Sequence, residues 1–565
     1  MSEEYRRRGW WRDETFLGDL RRHTREHPGK AAVVARRIGS GHTRTLDYAE
    51  LSLLTDRCAG ALIELGLRPG DTVAVQLTNG WELTVLALGC LRAGAQICPL
   101  LPVYRERELA AYLGLTEARV FITLAEFGGE ALGELGLRLA AELPSLEHVV
   151  VSGEERPEGA SERPGDAGER PEGACGRPEG ARDLHEFFFE TPWEETHAVR
   201  LDGRELGPDE PYLTLFTSGT TGEPKGVLHS QNTLYAPIRG EAGVFGLDGT
   251  DAVTMAASYT HYTGFVRGML LPLSLGGTAV FQDSTDGAAM ADLLAEHKVT
   301  YLYAPPHFLR PLVDAQRAGP RDLTALRWVV GGSAPIPAAL VQDAGEVFGR
   351  RLFSLWGMSE NGAVTISRPD DPVDWAAHSD GSPISDMEFR IDPFPGRQEE
   401  AGVLWVRGPT QCLGYLRREE LYASFCDEDG WFDTGDLARH DGRGGIRITG
   451  RTKDTVFRNG FFVPATEMEE ILVRHPGVEE AAVIGLPVLG GTDQMICAVV
   501  RPAAVEGGGG RDGGGGISLE EARALLRDAG MSAFFWPERL ELVDDLPRAA
   551  ATGKVRKVEL RERFA

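Results

Sequence analysis

LTLFTSGTTGEPKGVLHS, residues 213–230, is the stretch from which the rest of this chain is read. Thr217, Ser218, Gly219, Thr220, Thr221 and Gly222 place four hydroxyls and two glycines in six consecutive positions, and Lys225 follows between Pro224 and Gly226. Leu213, Leu215 and Phe216 lead in and Val227 and Leu228 lead out, so the pattern predicts a loop joining two strands. Glycines let backbone N–H groups approach an oxyanion, hydroxyls donate to it, and one ammonium neutralises it. Such a loop suits a polyphosphate. It is not the P-loop of kinases and GTPases: counted from Gly219, that pattern needs Gly where Pro224 stands and Ser or Thr where Gly226 stands. The competing reading of the same residues is a Ser/Thr/Gly surface turn.

Outward from this loop, residues 44–126 alternate helix and strand signals. Leu51, Leu54, Cys58, Leu62 and Leu65 recur at helical spacing from Tyr48 to Leu65, a short strand follows at Thr72–Leu77, and Trp81–Leu91 is again helical. Strands are expected at Val253–Ala257, Gly277–Phe281, Thr300–Ala304 and Trp328–Gly331, with helices between them. Short strands at Glu388–Asp392, Gly402–Arg407 and Gly445–Thr449 predict a small β subdomain. The expected fold class is α/β: a large N-terminal domain, 1–449, of two α/β lobes plus that subdomain, then a small, mobile α+β domain, 450–565, opening with a helix at Thr466–Arg474 and a strand at Ala481–Gly485. Residues 153–182 repeat RPEGA-like units with almost no apolar content and are expected to be a disordered insertion, and Gly507–Gly516 a flexible loop.

With 565 residues the chain exceeds a single core. Its 59 basic and 85 acidic residues give a net charge of −26, which argues against a nucleic-acid partner. Seven scattered cysteines without a C-x-x-C pair point to reduced thiols and no zinc site. The N-terminus lacks a signal-peptide core, and apolar runs such as Leu83–Leu91 are too short to span a bilayer. A cytoplasmic protein without membrane insertion is expected.

Further motifs lie at predicted strand ends, where parallel sheets bind ligands. In Leu355–Asn361 the indole of Trp356, beside Gly357 and Met358, offers a flat face to a purine, and Ser359 and Glu360 offer oxygens to a hard cation such as Mg²⁺. The alternative is a buried tryptophan near a helix cap. Trp431–Leu437 carries two carboxylates around a turn. Asp436 suits two ribose hydroxyls, and a plain Asx turn is the alternative. Arg451 and Lys453 lie at the expected domain junction, and Lys554 ends a loop of small residues, Ala549–Lys554. His261, with Tyr259, Tyr262, Phe265 and Val266, fits either a wall of an apolar acid pocket or a packed structural histidine. Gly332, Ser333, Ala334 and Pro335 form a second candidate wall.

In order, TSGTTGEPKG, HYTGF, GGSAP, WGMSE, FDTGDL, GRTKD and ATGK resemble the adenylate-forming superfamily over residues 30–565. The segments 102–113, 261–265 and 356–372 look most similar to medium-chain and cyclohexanecarboxylate-type acid–CoA ligases. The resemblance implies that Thr217–Gly222 and Lys225 hold the β- and γ-phosphates of ATP, Gly331–Pro335 and Trp356 enclose adenine, and Ser359 and Glu360 serve the α-phosphate and Mg²⁺. It further implies ribose contacts from Asp436 and Arg451, packing by Ile448, a hinge at Lys453, and Lys554 bridging the substrate carboxylate and α-phosphate. The expected function is ATP-dependent activation of an aryl, alicyclic or medium-chain acid to acyl-AMP, with transfer to CoA. Asn459-Gly460-Phe461-Phe462 departs from the glycine-rich loop of CoA ligases, and the loop before Lys554 is one residue longer than usual. The phosphopantetheine of an acyl carrier protein is therefore the alternative acceptor. No Asp or Glu lies between Tyr262 and Leu275 to pair with an α-ammonium, which disfavours amino acids.

Overall fold

The chain is described by a computed structural model covering residues 2–153, 177–217, 224–394, 397–454, 456–458, 461–488, 494–503, 516–549 and 554–565. The segments 154–176, 218–223, 459–460 and 504–515, on which several of the expectations above fall, lie outside the described residues.

Two large sheets form the N-terminal part. The first has eight strands in the order 414–415, 225–230, 211–217, 96–99, 72–76, 120–124, 148–152, 182–183. Its strands from 96–99 to 182–183 pair in parallel, as does 96–99 with 211–217, while 211–217 and 225–230 run antiparallel. The expected strand–loop–strand at the hydroxyl-rich segment is thus present, with Thr217 opposite Lys225 across its mouth. The second sheet has nine strands, parallel through 352–358, 328–332, 301–303, 252–255, 278–282 and 31–36, with antiparallel additions at both edges.

Helix Trp81–Ala93 shows what joins the two sheets. Twelve of its thirteen residues are buried, since most are apolar and the buried Glu82 is paired with Arg37 at 2.6 Å. It shares one core with Val73 and Val75 of the first sheet and Val33, Ala35 and Phe281 of the second. Helix Tyr48–Glu64 packs on it, its first turn capped by Asp47, whose side chain accepts from the Glu50 N–H. A four-stranded antiparallel sheet (388–394, 397–407, 432–440, 446–451) forms the expected β subdomain.

The strand Ile446–Arg451 continues into the short turn Thr452–Asp454, which holds Lys453. Beyond it, the strands 478–487, 494–502 and 539–542 carry helices Ala465–Leu472, Leu519–Asp528 and Lys557–Phe564 and a separate apolar cluster. Arg561 pairs with Asp454, tying the last helix to the turn. Arg182, expected within the disordered insertion, pairs with Val150 at a sheet edge. Sequence reading did not anticipate the π-helix Gly264–Leu270 directly after His261. No helix among the described residues is long and apolar enough to cross a membrane.

Candidate active site

Several of the predicted residues, Trp356, Asp436, Arg451, Glu360 and Lys225, gather where the second sheet, the β subdomain and the 211–217/225–230 pair meet. Trp356 lies near the end of the strand Leu352–Met358, so neither a helix cap nor a loop places it. Its indole N–H donates to Asp436 Oδ2 at 3.0 Å, and Arg451 Nε pairs with Asp436 Oδ1 at 3.0 Å. Arg451 stands opposite Asp436 across the antiparallel pair 432–440/446–451. The two carboxylates of the FDTGDL segment divide the two sequence readings. Asp433 closes an Asx turn onto the Gly435 N–H at 2.9 Å, whereas Asp436 is buried and faces the cleft partners.

Glu360 is buried and accepts from the Tyr415 hydroxyl at 3.0 Å. Burial holds its carboxyl above the ordinary carboxylate value, opposed by the Tyr415 hydrogen bond and by the positive charges of Lys225 and Arg451. Lys225 is buried too. Its ammonium sits over the Phe425 ring at 4.1 Å and near the Tyr415 ring at 5.3 Å, and burial lowers its pKa while Glu360 opposes that. Tyr415 and Phe425 were invisible to sequence reading. They belong to no motif and reach the site through the strand pairing of 414–415 with 227–228.

Ser359 is held from behind. His229 Nε2 lies 2.7 Å from the Ser359 carbonyl and its Nδ1 lies 2.9 Å from Thr233 Oγ1. A carbonyl only accepts, so Nε2 carries a proton. Burial keeps its pKa at about 4. The unfolded imidazole titrates near 6.5, so between those values the unfolded chain binds the extra proton. Stability from this group is present above pH 6.5 and is lost as pH falls toward 4. His229→Gln, which retains a donor toward Ser359, removes about 2 kcal/mol of the stability difference between pH 7 and pH 5. Denaturant titrations of both proteins at the two pH values measure this, and parallel pH profiles would refute it.

At the end of the strand Trp328–Gly332, a Cβ on Gly332 would meet the Leu355 carbonyl at 2.3 Å, so only glycine fits. Ser333 next to it takes φ +67°, a left-handed conformation uncommon for serine, and its hydroxyl lies 3.1 Å from the Tyr303 hydroxyl. Ala334 and Pro335 continue this turn. Ile448 packs with the Trp356 cluster, its backbone N–H held by Asp380 at 2.8 Å. His261 lines a small cavity with Thr260, Ser359, Phe216, Leu101 and Tyr104. Burial, reinforced by the charge of Lys554, holds its imidazole at about 4. Lys554, from the C-terminal part, acts on His261 through its charge, and its backbone is fixed by the Arg548–Val555 bridge and by the Ala549 N–H donating to the Lys554 carbonyl. Of the predicted phosphate loop, Thr217 and Lys225 are placed here, and Ser218, Gly219, Thr220, Thr221 and Gly222 fall outside the described residues.

Comparison with known proteins places the chain in a family. The AMP-binding enzyme profile matches residues 20–416, and the AMP-binding enzyme C-terminal domain profile matches residues 467–554. The medium-chain fatty-acid–CoA ligase of Escherichia coli strain K12 is 30% identical over 99% of this chain and 92% of its own length. The salicyl-AMP ligase / salicyl-S-ArCP synthetase of Mycobacterium tuberculosis is 30% identical over 98% and 92%. Among solved structures, ATP-bound MatB from Rhodopseudomonas palustris superposes with a TM-score of 0.79 at 26% identity, covering 98% of this chain and 99% of that one. The chain belongs to the AMP-binding enzyme family. The mixed α/β architecture, with its large N-terminal and small C-terminal parts, is the fold of adenylate-forming enzymes.

Proposed function

We propose that this chain joins an apolar carboxylic acid, aryl, alicyclic or medium-chain, to a thiol through an acyl-adenylate, as an AMP-forming acid–thiol ligase. The observation that carries this reading is the chain of contacts Trp356–Asp436–Arg451, with Glu360 acted on by the charges of Arg451 and Lys225 and hydrogen-bonded by Tyr415, over whose ring Lys225 sits. A carboxylate oxygen of the acid attacks the α-phosphorus of ATP. The bond to the β-phosphate oxygen breaks and pyrophosphate leaves. The acceptor thiol, giving up its proton, then attacks the acyl carbonyl carbon, and the C–O bond to AMP breaks.

The first step brings two anions together, so it needs fixed positive charge at the point of contact. Lys554 supplies it at the attacking oxygens. Lys225 supplies it at the outer phosphates, together with Thr217 and the loop Ser218–Gly222. Trp356 and the turn Gly332–Pro335 flank the adenine, with Gly357, Met358 and Ile448 completing the wall, and Asp436 with Arg451 takes the ribose. His261, neutral near pH 7, is a wall of the acid pocket and carries no charge into the reaction.

Glu360 fits a Mg²⁺ ion: its buried carboxylate is hydrogen-bonded by a neutral phenol, with two cations acting on it, and a hard cation favours one or two carboxylate oxygens plus phosphates. When bound, the ion neutralises phosphate charge. The neighbouring Asn361, fully buried, has neither amide atom hydrogen-bonded within the described residues, which supports a polar ligand at this point. Residues 1–449 and 450–565 act as two domains, and rotation about Lys453 exchanges the two half-reactions. CoA is the acceptor we favour.

Acid-dependent ATP–pyrophosphate exchange, screened over apolar acids and followed by thioester formation with CoA or with a phosphopantetheinylated carrier protein, tests the assignment. Exchange with thioester on CoA is expected. Exchange with thioester only on the carrier would replace the acceptor. Release of phosphate and ADP in place of pyrophosphate and AMP would sink the assignment.

A further inference from the structure

Residues 2–13 lie ahead of the stretch matched by the AMP-binding enzyme profile, which begins at residue 20. They form the helix Ser2–Arg7 and a turn through Gly9, Trp10 and Trp11. Two groups of contacts hold this segment. On the helix Gln231–Phe245, the Asn232 side chain bonds both the N–H and the carbonyl of Arg12, at 2.9 and 3.0 Å. The Arg12 guanidinium lies 3.7 Å from the centre of the Tyr235 ring, and that of Arg239 lies 4.8 Å from the centre of the Trp10 ring. On the β subdomain, the Trp10 indole N–H donates to the Asp386 carboxylate, with which Arg8 pairs at 2.7 Å. The Trp11 indole N–H donates to the Pro409 carbonyl at 2.8 Å. Both indole donors of the segment are thus spent on one crossing of the chain.

That crossing is tight. Ser385 and Asp386 take φ +57° and +55°, left-handed values uncommon for residues other than glycine. At Gly408 a Cβ would come within 2.3 Å of Met387 Sδ. The segment leaving it is the one that positions Glu360. Thr410 Oγ1 donates to the Asn361 carbonyl, and the Cys412 N–H donates to the Glu360 carbonyl at 2.7 Å. The Tyr415 hydroxyl donates to the Glu360 carboxylate at 3.0 Å, and the Leu416 N–H donates to the Gly226 carbonyl at 2.7 Å, next to Lys225. Pro409 immediately precedes the first of these donors, so the Trp11 bond fixes the end from which the others are set.

We infer that Trp11 is a positioning residue for Glu360: the N-terminal segment fixes the start of residues 409–415 and, through them, the carboxylate proposed above to take Mg²⁺ with the ATP phosphates. This rests on that reading of Glu360 and adds a residue to it.

The test is calorimetric titration of ATP into the full chain without any acid, once in excess Mg²⁺ and once in EDTA. Trp11→Phe keeps a ring beside Tyr5 and Arg6 and deletes the donor to Pro409. Its Kd for ATP in Mg²⁺ is expected to rise about three- to tenfold, the scale of one hydrogen bond, and its Kd in EDTA to change less than about twofold. Thr410→Val, which deletes the next donor along the path, is expected to show the same Mg²⁺-specific loss. In the double variant the two losses do not add, because groups on one path couple. Melting curves without ATP check that each variant folds. An unchanged Kd in Mg²⁺ for Trp11→Phe would overturn the inference while leaving the nucleotide site intact. Equal weakening in Mg²⁺ and EDTA, or additive losses in the double variant, would overturn it as well. Failure of the unaltered chain to bind ATP in Mg²⁺ would remove the nucleotide reading itself, and the inference with it.

Discussion

Lys554→Ala lowers the rate of acyl-AMP formation by about 10²–10³, equivalent to about 3–4 kcal/mol of lost transition-state stabilisation, and leaves thioester formation from preformed acyl-AMP within a few-fold of normal. The asymmetry follows from where charge builds up. In the proposed first half-reaction a carboxylate approaches the α-phosphate, and Lys554 is the C-terminal cation whose charge acts on His261. In the second half-reaction the electrophile is already a neutral acyl group, and no second anion has to be brought to it. Pyrophosphate exchange reports the first step, and single-turnover transfer from synthetic acyl-AMP reports the second. Equal losses in both would show that Lys554 acts in folding or domain placement and not at the reacting oxygens.

The second large effect is on stability. Arg267→Met leaves Glu241 buried with the Tyr301 hydroxyl and no cation, and breaking a buried pair in this way costs about 3–5 kcal/mol. The melting transition of the N-terminal part is expected to fall by several degrees, and replacing Glu241 by Met as well restores most of it. The pair joins helix Gln231–Phe245 to the π-helix beneath Tyr303, inside the main core. A drop of less than about 1 kcal/mol for the single change would mean that the pair is wetted and not sealed in that core.

What could be read from the residue order is what depends on local spacing. The loop from Thr217 to Lys225 is delimited by apolar strand residues on each side, and it lies between strands as read. Trp81–Leu91, read as helical, is mostly apolar and lies in the buried helix Trp81–Ala93. The order of motifs named the family, because hydroxyl-rich loop, WGMSE, FDTGDL and terminal lysine are local signatures with local chemistry. What depends on pairing between distant strands was out of reach. Tyr415 reaches Glu360 because 414–415 adds to the edge of a strand almost two hundred residues earlier, and Asp436 meets Trp356 because two different sheets abut. Asp433 and Asp436, three residues apart and of one chemistry, were separated into turn-former and cleft carboxylate only by the pleat and burial of their strand.

The same division holds for the segment after His261. Sequence alone established an apolar neighbourhood after His261 and the absence of a carboxylate in that segment. It passed over Arg267 as one charge among apolar residues, since the partner that neutralises it, Glu241, sits 26 positions away on another helix. Tertiary packing alone decided that this arginine is sealed inside with an N–H unspent. Local sequence sets which groups are available, but desolvation and the distances between groups, which govern charge and hydrogen bonding, exist only once distant segments have packed.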